Sequence, residues 1–216
     1  MKIKGVIFDM DGLMLDTEKL LTRFWTEAAE KFGYQMKKEH VLGIRSLAAV
    51  FAEPKLKGIF GDGFDYKSIR AERIRLMNDY IEKFGVEKKK GLDELLNYLK
   101  GKYKISVATA TDYERTEIYL KKAGVWGFFD KVICGPMVDN GKPAPDIYLK
   151  VAADLGVQPE KCLVFEDVPA GILAGKRAGM RVGAVEDVFS LSMIEEKKEL
   201  ADFYIRDYRE LIQGAR

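Results

Sequence analysis

Histidine is almost missing from this chain of 216 residues: His40 is the only one. It lies far in sequence from every acidic cluster and reads as an ordinary surface or helix-cap residue. Cysteine is nearly as scarce. Cys134 and Cys162 have no metal-ligand spacing, and two free thiols in a reducing cytoplasm are the expectation. No apolar run approaches the roughly 20 residues of a membrane span, and the apolar stretch that meets Asp9 is too short for a signal peptide. A cytoplasmic protein with no membrane partner follows as the expectation. An excess of one charge is absent as well: 36 Lys+Arg stand against 34 Asp+Glu. That balance gives no global field of the kind a non-specific nucleic-acid binder needs. Repeats and low-complexity segments are not visible. Apolar residues, by contrast, make up 47% of the chain, enough for a sizeable core and too many for a disordered polymer.

Short apolar runs alternate with helix-period segments, the pattern of strands feeding helices in a parallel sheet. Strands are expected at 3–8, 103–108, 131–134, 162–165, 181–185 and 203–205. Most are nearly continuous in apolar residues, as for strands covered on both faces. Helices are expected at 93–100, 114–123, 146–155 and 170–178. Gly124, Gly156 and Gly179 follow three of these, where a left-handed helix terminus is wanted. The stretch 17–86 differs. It has no convincing strand but two amphipathic helices, one with Leu20, Leu21, Phe24, Trp25, Ala28, Ala29 and Phe32 on one stripe, the other with Ile74, Met77, Ile81 and Phe84. Between them 38–51 reads as a further helix, followed by a loop containing Gly and Pro. The expected organisation is an α/β, Rossmann-like parallel-sheet core at 1–16 and 87–216, with a small all-helical domain at 17–86. The lysine run in 87–91 reads as a solvated return linker.

In an open parallel sheet, ligands bind beyond the carboxyl ends of the strands. The first strand runs into Asp9-Met10-Asp11-Gly12, the second into Thr109-Ala110-Thr111, and the fourth into Glu166-Asp167. Gly141-Lys142-Pro143 follows the third. Carboxylates crowded on one rim repel one another unless a cation neutralises them, and an all-oxygen set favours Mg²⁺. A lysine and hydroxyls beside that cation suit a phosphate, and a carboxylate aimed at phosphorus can act as a nucleophile. Asp146, after Pro145 at a helix start, reads instead as a helix-start residue.

Val6-Ile7-Phe8-Asp9-Met10-Asp11-Gly12-Leu13-Met14-Leu15-Asp16-Thr17-Glu18 resembles the first motif of the haloacid dehalogenase superfamily. Val107-Ala108-Thr109-Ala110-Thr111 resembles its second motif, Gly141-Lys142-Pro143-Ala144-Pro145 its third, and Val164-Phe165-Glu166-Asp167 with Ala170-Gly171-Ile172 its fourth. The order is that of the family, and the helical insert resembles its small cap. The branch most similar holds β-phosphoglucomutase and phosphatases of sugar phosphates and nucleotides.

The resemblance implies Asp9 as nucleophile and Asp11 as general acid/base. It implies Thr109, Ala110 and Lys142 as phosphate-binding groups, Lys142 also bridging nucleophile and phosphate. Asp9, Asp11 (through its backbone carbonyl), Asp167 and Glu166 would hold Mg²⁺, Glu166 directly or through a neighbour. Beside Mg²⁺ and Lys142, Asp9 is expected to titrate low. Arg45 sits where related caps place a substrate-contacting loop, with a solvated helix residue as the alternative. Arg73 and Arg75 are expected to be solvated.

The implied activity is a Mg²⁺-dependent phosphatase of a small phosphorylated metabolite, acting as a monomer. A phosphosugar mutase is the alternative enzyme and a phospho-receiver module the alternative outside catalysis. In β-phosphoglucomutase a histidine lies four residues past the threonine closing the first motif; the matching residue here is Leu21, which favours water as the acceptor.

Overall fold

The computed structural model describes residues 2–45, 47 and 49–213. Six strands make one parallel sheet: β1 (Gly5–Phe8), β2 (Lys104–Thr109), β3 (Lys131–Cys134), β4 (Cys162–Glu166), β5 (Arg181–Val185) and β6 (Phe203–Ile205). Their order is β3-β2-β1-β4-β5-β6. The chain therefore starts in the middle, builds outward to one side, then returns beside β1 and builds to the other. The reversal lies between β1 and β4, the place where doubly wound sheets open a crevice for ligand. Register sets Phe8, at the end of β1, beside Val107 and Phe165, so β2 and β4 end within two residues of the same level.

The chain divides into two compact units, one of Met1–Asp16 with Val86–Arg216 and one of Thr17–Gly85. The second unit holds α1 (Glu18–Lys31), α2 (Lys38–Gly43), α3 (Ala49–Phe60) and α4 (Tyr66–Phe84). The first holds the sheet with α5 (Leu92–Leu99), α6 (Tyr113–Lys122), α7 (Asp146–Leu155), α8 (Pro169–Arg177), α9 (Ile194–Leu200) and α10 (Arg209–Gln213). Among the described residues no helix is long and apolar enough to cross a membrane.

Sheet and helices interlock through apolar side chains. Ile7, Ala108 and Val164 from the strands pack with Ile147, Tyr148 and Val151 of α7 and with Ile172 and Ala174 of α8. Burying an aliphatic or aromatic side chain of this size contributes about 1.5–3 kcal/mol. Phe8 stacks on Phe165 at 5.2 Å, and Tyr208 meets both rings edge-on. The Tyr208 hydroxyl donates to the Leu13 carbonyl at 3.1 Å, which pins the loop after β1 from behind. Gly124, Gly156 and Gly179 all adopt positive φ after their helices.

Several local expectations change. The segment 38–51 is not one helix: α2 and α3 are separate, and residues 46 and 48 lie outside the described residues. The expected Gly/Pro loop is helical, with Pro54 inside α3. Pro54 forgoes one backbone hydrogen bond, but it is exposed, and Ala52 and Leu56 on the opposite side are buried with Trp25 and Ile69. The buried stripe of α4 runs through Tyr66, Ile69, Arg73, Met77 and Ile81, while Phe84 is exposed. Arg73, expected in solvent, is buried with its guanidinium 5.3 Å from the centre of the Trp25 ring. Arg75 is exposed, between Glu72 and Asp79. The lysine run is also not simply solvated. Lys88 pairs with Asp93 at 2.6 Å, and Lys89 reaches Asp187 at 2.7 Å and Asp16 at 3.6 Å.

Candidate active site

Each strand of the central trio delivers one part of the site as its regular structure ends. Asp9 follows β1 directly, and its N–H still extends the ladder by donating to the Phe165 carbonyl at 3.1 Å. The chain then closes a compact loop in which the N–H groups of Met14 and Leu15 donate to the Met10 carbonyl. Thr109 ends β2 and is buried; its hydroxyl oxygen accepts from the Thr111 N–H at 3.2 Å. Ala110 follows, exposed, with Gly135 packed so close behind its carbonyl that a Cβ there would come within 2.8 Å. Glu166 ends β4 and Asp167 starts the turn into α8.

Lys142, on the loop before α7, joins these strands. Its ammonium donates to Asp9 Oδ1 at 2.5 Å, to Glu166 Oε1 at 2.6 Å and to the Ala108 carbonyl at 3.2 Å. All three of its protons are thereby used, so its position is set by β1, β2 and β4 together. Glu166 is held on both oxygens: the Tyr148 hydroxyl adds a second bond to Oε1 at 2.5 Å, and the Asp167 N–H donates to Oε2 at 3.1 Å. Tyr148 was not singled out from sequence, where it looks like one more apolar-face residue of α7. Asp11 is half-buried, and the Thr111 hydroxyl donates to its Oδ2 at 2.7 Å.

The electrostatics follow from burial. With protein groups alone, desolvation pushes the Asp9 carboxyl up to about 7, with Lys142 pulling down and Glu166 and Asp11 pushing up. One ammonium shared with Glu166 does not offset burial, and the low value expected for Asp9 belongs to the site with Mg²⁺ beside it. Burial alone would lower Lys142, yet Asp9 and Glu166 outweigh it and hold the ammonium well above its ordinary value. Burial, reinforced by Glu166, keeps the Tyr148 phenol protonated.

Asp9, Glu166 and Asp167 are buried, and each places a carboxylate oxygen within 4.8 Å of the others. Three acids against the shared Lys142 make a hard, anionic, all-oxygen donor set, and that chemistry fits Mg²⁺. Among the described residues Lys142 occupies Asp9 Oδ1 and no protein donor takes Oδ2. Both oxygens of Glu166 are already bonded, so it serves the set best by holding Lys142 and the Asp167 backbone.

Of the residues expected from sequence, Asp9, Lys142, Glu166 and Asp167 thus come together, with Thr109 and Ala110 at the end of β2. Asp11 stands on the same loop as Asp9 but outside the three-carboxylate group. Arg45 belongs to the helical unit, where its side chain is buried and its Nε lies 3.2 Å from Glu18, so it is not a solvated helix residue. Asp146 opens α7 and accepts from the Asn140 side chain at 2.8 Å. His40 caps α2, its Nδ1 accepting from the Lys37 N–H at 3.1 Å.

Comparison with known proteins finds relatives in both sequence and fold. The phosphorylated carbohydrates phosphatase of Thermotoga maritima is 31% identical over 185 residues, covering 82% of each chain. The fructose-1-phosphate phosphatase of Escherichia coli K12 is 30% identical over 181 residues, covering 82% of this chain and 93% of its own. In fold, the crystal structure of β-phosphoglucomutase from Clostridium difficile superposes with a TM-score of 0.80 at 23% identity, over 98% of this chain and 96% of that one. The sequence profile described as haloacid dehalogenase-like hydrolase matches residues 6–185, from within β1 to the end of β5. By that match, which takes in every strand end described above, the chain belongs to the haloacid dehalogenase-like hydrolases.

Proposed function

We propose that the protein is a Mg²⁺-dependent phosphatase of a small phosphorylated metabolite, a sugar phosphate or nucleotide, working through an aspartyl phosphate at Asp9. The observation that carries this reading is the pairing of Asp9 with Lys142 inside the buried carboxylate group. Lys142 anchors Oδ1, which leaves Oδ2 to attack phosphorus as the ester P–O bond breaks. The leaving oxygen takes its proton from Asp11, which is on the same loop as Asp9 and whose carboxyl lies outside the three-carboxylate group. Water then gives a proton to Asp11 and attacks the aspartyl phosphate, releasing inorganic phosphate and restoring Asp9.

Asp9, Asp167 and the Asp11 backbone carbonyl would hold Mg²⁺, with Glu166 supporting them. The bound cation supplies charge stabilisation for the transferring phosphoryl group. Thr109 and the backbone at Ala110 would donate to phosphoryl oxygens, and Lys142 would offset charge as it builds. The helical unit would be the cap that selects the substrate. Leu21, half-buried on α1, has no hydrogen-bonding group, which supports water as the acceptor. The buried free thiols Cys134 and Cys162 support a reducing, cytoplasmic setting, and a monomer is the proposed state.

A screen of phosphorylated sugars and nucleotides with Mg²⁺, reading released phosphate, tests the proposal. Asp9→Asn should abolish release while leaving the fold intact, since an amide forms no acyl phosphate. Near-wild-type release by that variant would sink the mechanism. Glucose 6-phosphate formed from β-glucose 1-phosphate much faster than phosphate is released would make the protein a mutase.

A further inference from the structure

The family match ends at Val185, and the segment directly after it packs against the acidic site. Asp187, Ser190 and Lys197 are all buried, Ser190 and Lys197 completely. A fully buried ammonium is costly unless its protons are used. Lys197, on α9, donates to the Val185 carbonyl at 3.1 Å and to Ser190 Oγ at 3.0 Å. Ser190 Oγ in turn lies 3.3 Å from the Asp167 carbonyl and 3.2 Å from the Asp187 carbonyl, both within reach of its one proton. Asp187 is fixed from two sides, by Lys89 on Oδ1 and by the Phe189 N–H on Oδ2 at 3.1 Å. A chain of polar contacts thus runs from a buried lysine outside the family region to the backbone of an acid inside the site.

We propose that Ser190 and Lys197 are positioning residues for Asp167: they fix the turn after β4 so that its carboxylate stays in the group with Asp9 and Glu166. The proposal rests on the reading of that group as a cation site. Its physical basis is that Asp167 begins the turn between β4 and α8, and that the Ser190 hydroxyl reaches the backbone carbonyl of that turn. On the other side the Asp167 N–H is tied to Glu166. Lys197 polarises the Ser190 hydroxyl by donating to it, which strengthens the bond that hydroxyl gives to a carbonyl. Both side chains are fully buried, out of reach of a substrate, so their loss should act on the cation and the rate, and leave substrate affinity alone. Partners one step removed from a metal ligand typically change metal affinity or activity by about 10–100-fold.

The test uses the full-length protein and Mn²⁺ or Mg²⁺ as probe. Metal affinity is read by calorimetry or by the Mn²⁺ paramagnetic resonance signal, apart from any turnover. Ser190→Ala and Lys197→Met should weaken metal binding by about tenfold or more and lower kcat, with KM for a phosphomonoester little changed. Ser190→Thr, which keeps the hydroxyl, should restore both. Circular dichroism and melting temperature show whether each variant folds; if Lys197→Met does not, the Ser190→Ala and Ser190→Thr pair decides alone. Wild-type metal affinity and kcat in a folded Ser190→Ala protein overturn the proposal. A wild-type protein that binds no metal and releases no phosphate overturns the functional reading itself, a result distinct from the first.

Discussion

Asp9 sits in a place that does not favour its own charge. Its folded-state value of about 7 lies above the ordinary 3.8, and burial is the leading cause. A group raised in this way makes the folded protein hold its proton more tightly than the unfolded chain does. Its contribution to stability is complete below about pH 4 and is lost as the pH rises through 7. Asp9→Asn removes the titration and leaves Lys142 paired with Glu166. In metal-free protein, the melting temperature of Asp9→Asn relative to wild type should therefore rise between pH 5 and pH 8. A constant difference across that range would contradict the assignment. The same residue that limits stability is the proposed nucleophile, an example of a site held in tension by its surroundings. Beside it, Tyr148 and Thr111 show what residue type alone conceals. A tyrosine on an apolar helix face and a threonine in a loop carry no signal of their partners, Glu166 and Asp11.

At the scale of elements, α8 depends on a glycine for its approach to β4. A Cβ built on Gly171 would overlap the Glu166 carboxylate, which is itself held by Lys142, Tyr148 and the Asp167 N–H. Glu166 therefore cannot move aside without releasing Lys142. Gly171→Ala should cost about 1–3 kcal/mol of stability, the usual range for overpacking. It should also lower phosphate release, because the displaced carboxylate would take Lys142 with it. Urea denaturation and a steady-state assay check the two effects, and a variant unchanged in both would mean that Glu166 is not rigidly held. The end of α7 at Gly156 was visible in the sequence, since glycine acts through local backbone preference. α9 was not visible. Its buried face is marked by Lys197, and no apolar periodicity announces a lysine whose protons are spent on backbone and hydroxyl oxygens.

The whole molecule gathers its charges where the sheet reverses direction. If Asp9 and Asp167 hold a cation with Glu166 supporting them, chelation should abolish turnover and Mg²⁺ should restore it. Mg²⁺ should also raise the melting temperature, with a stabilisation of about 2.7 kcal/mol when free metal reaches a hundred times its dissociation constant. Ca²⁺ should stabilise as well but suppress turnover, because its larger and looser coordination would misplace the nucleophile. Thermal melts in each metal, alongside phosphate release, separate binding from catalysis. Full activity after exhaustive chelation would argue against the site.

The sequence by itself determined the strands and most helices of the sheet unit, because apolar run length, helical period and glycine stops are local properties. The polar strand ends were legible for the same reason: Asp9, Thr109 and Glu166 each follow an apolar run directly, with Asp11 and Asp167 within two residues of them. Only the tertiary structure decided which of those groups touch. Lys142 is 133 residues from Asp9 along the chain yet bonds it, and the same ammonium also bonds Glu166. It is likewise the packing of α4 on α1 that turns Arg73 inward over Trp25, and the packing of α9 that buries Lys197. Charge is written in the sequence, but burial and partnership arise only when distant segments are brought together, and they set what each charge does.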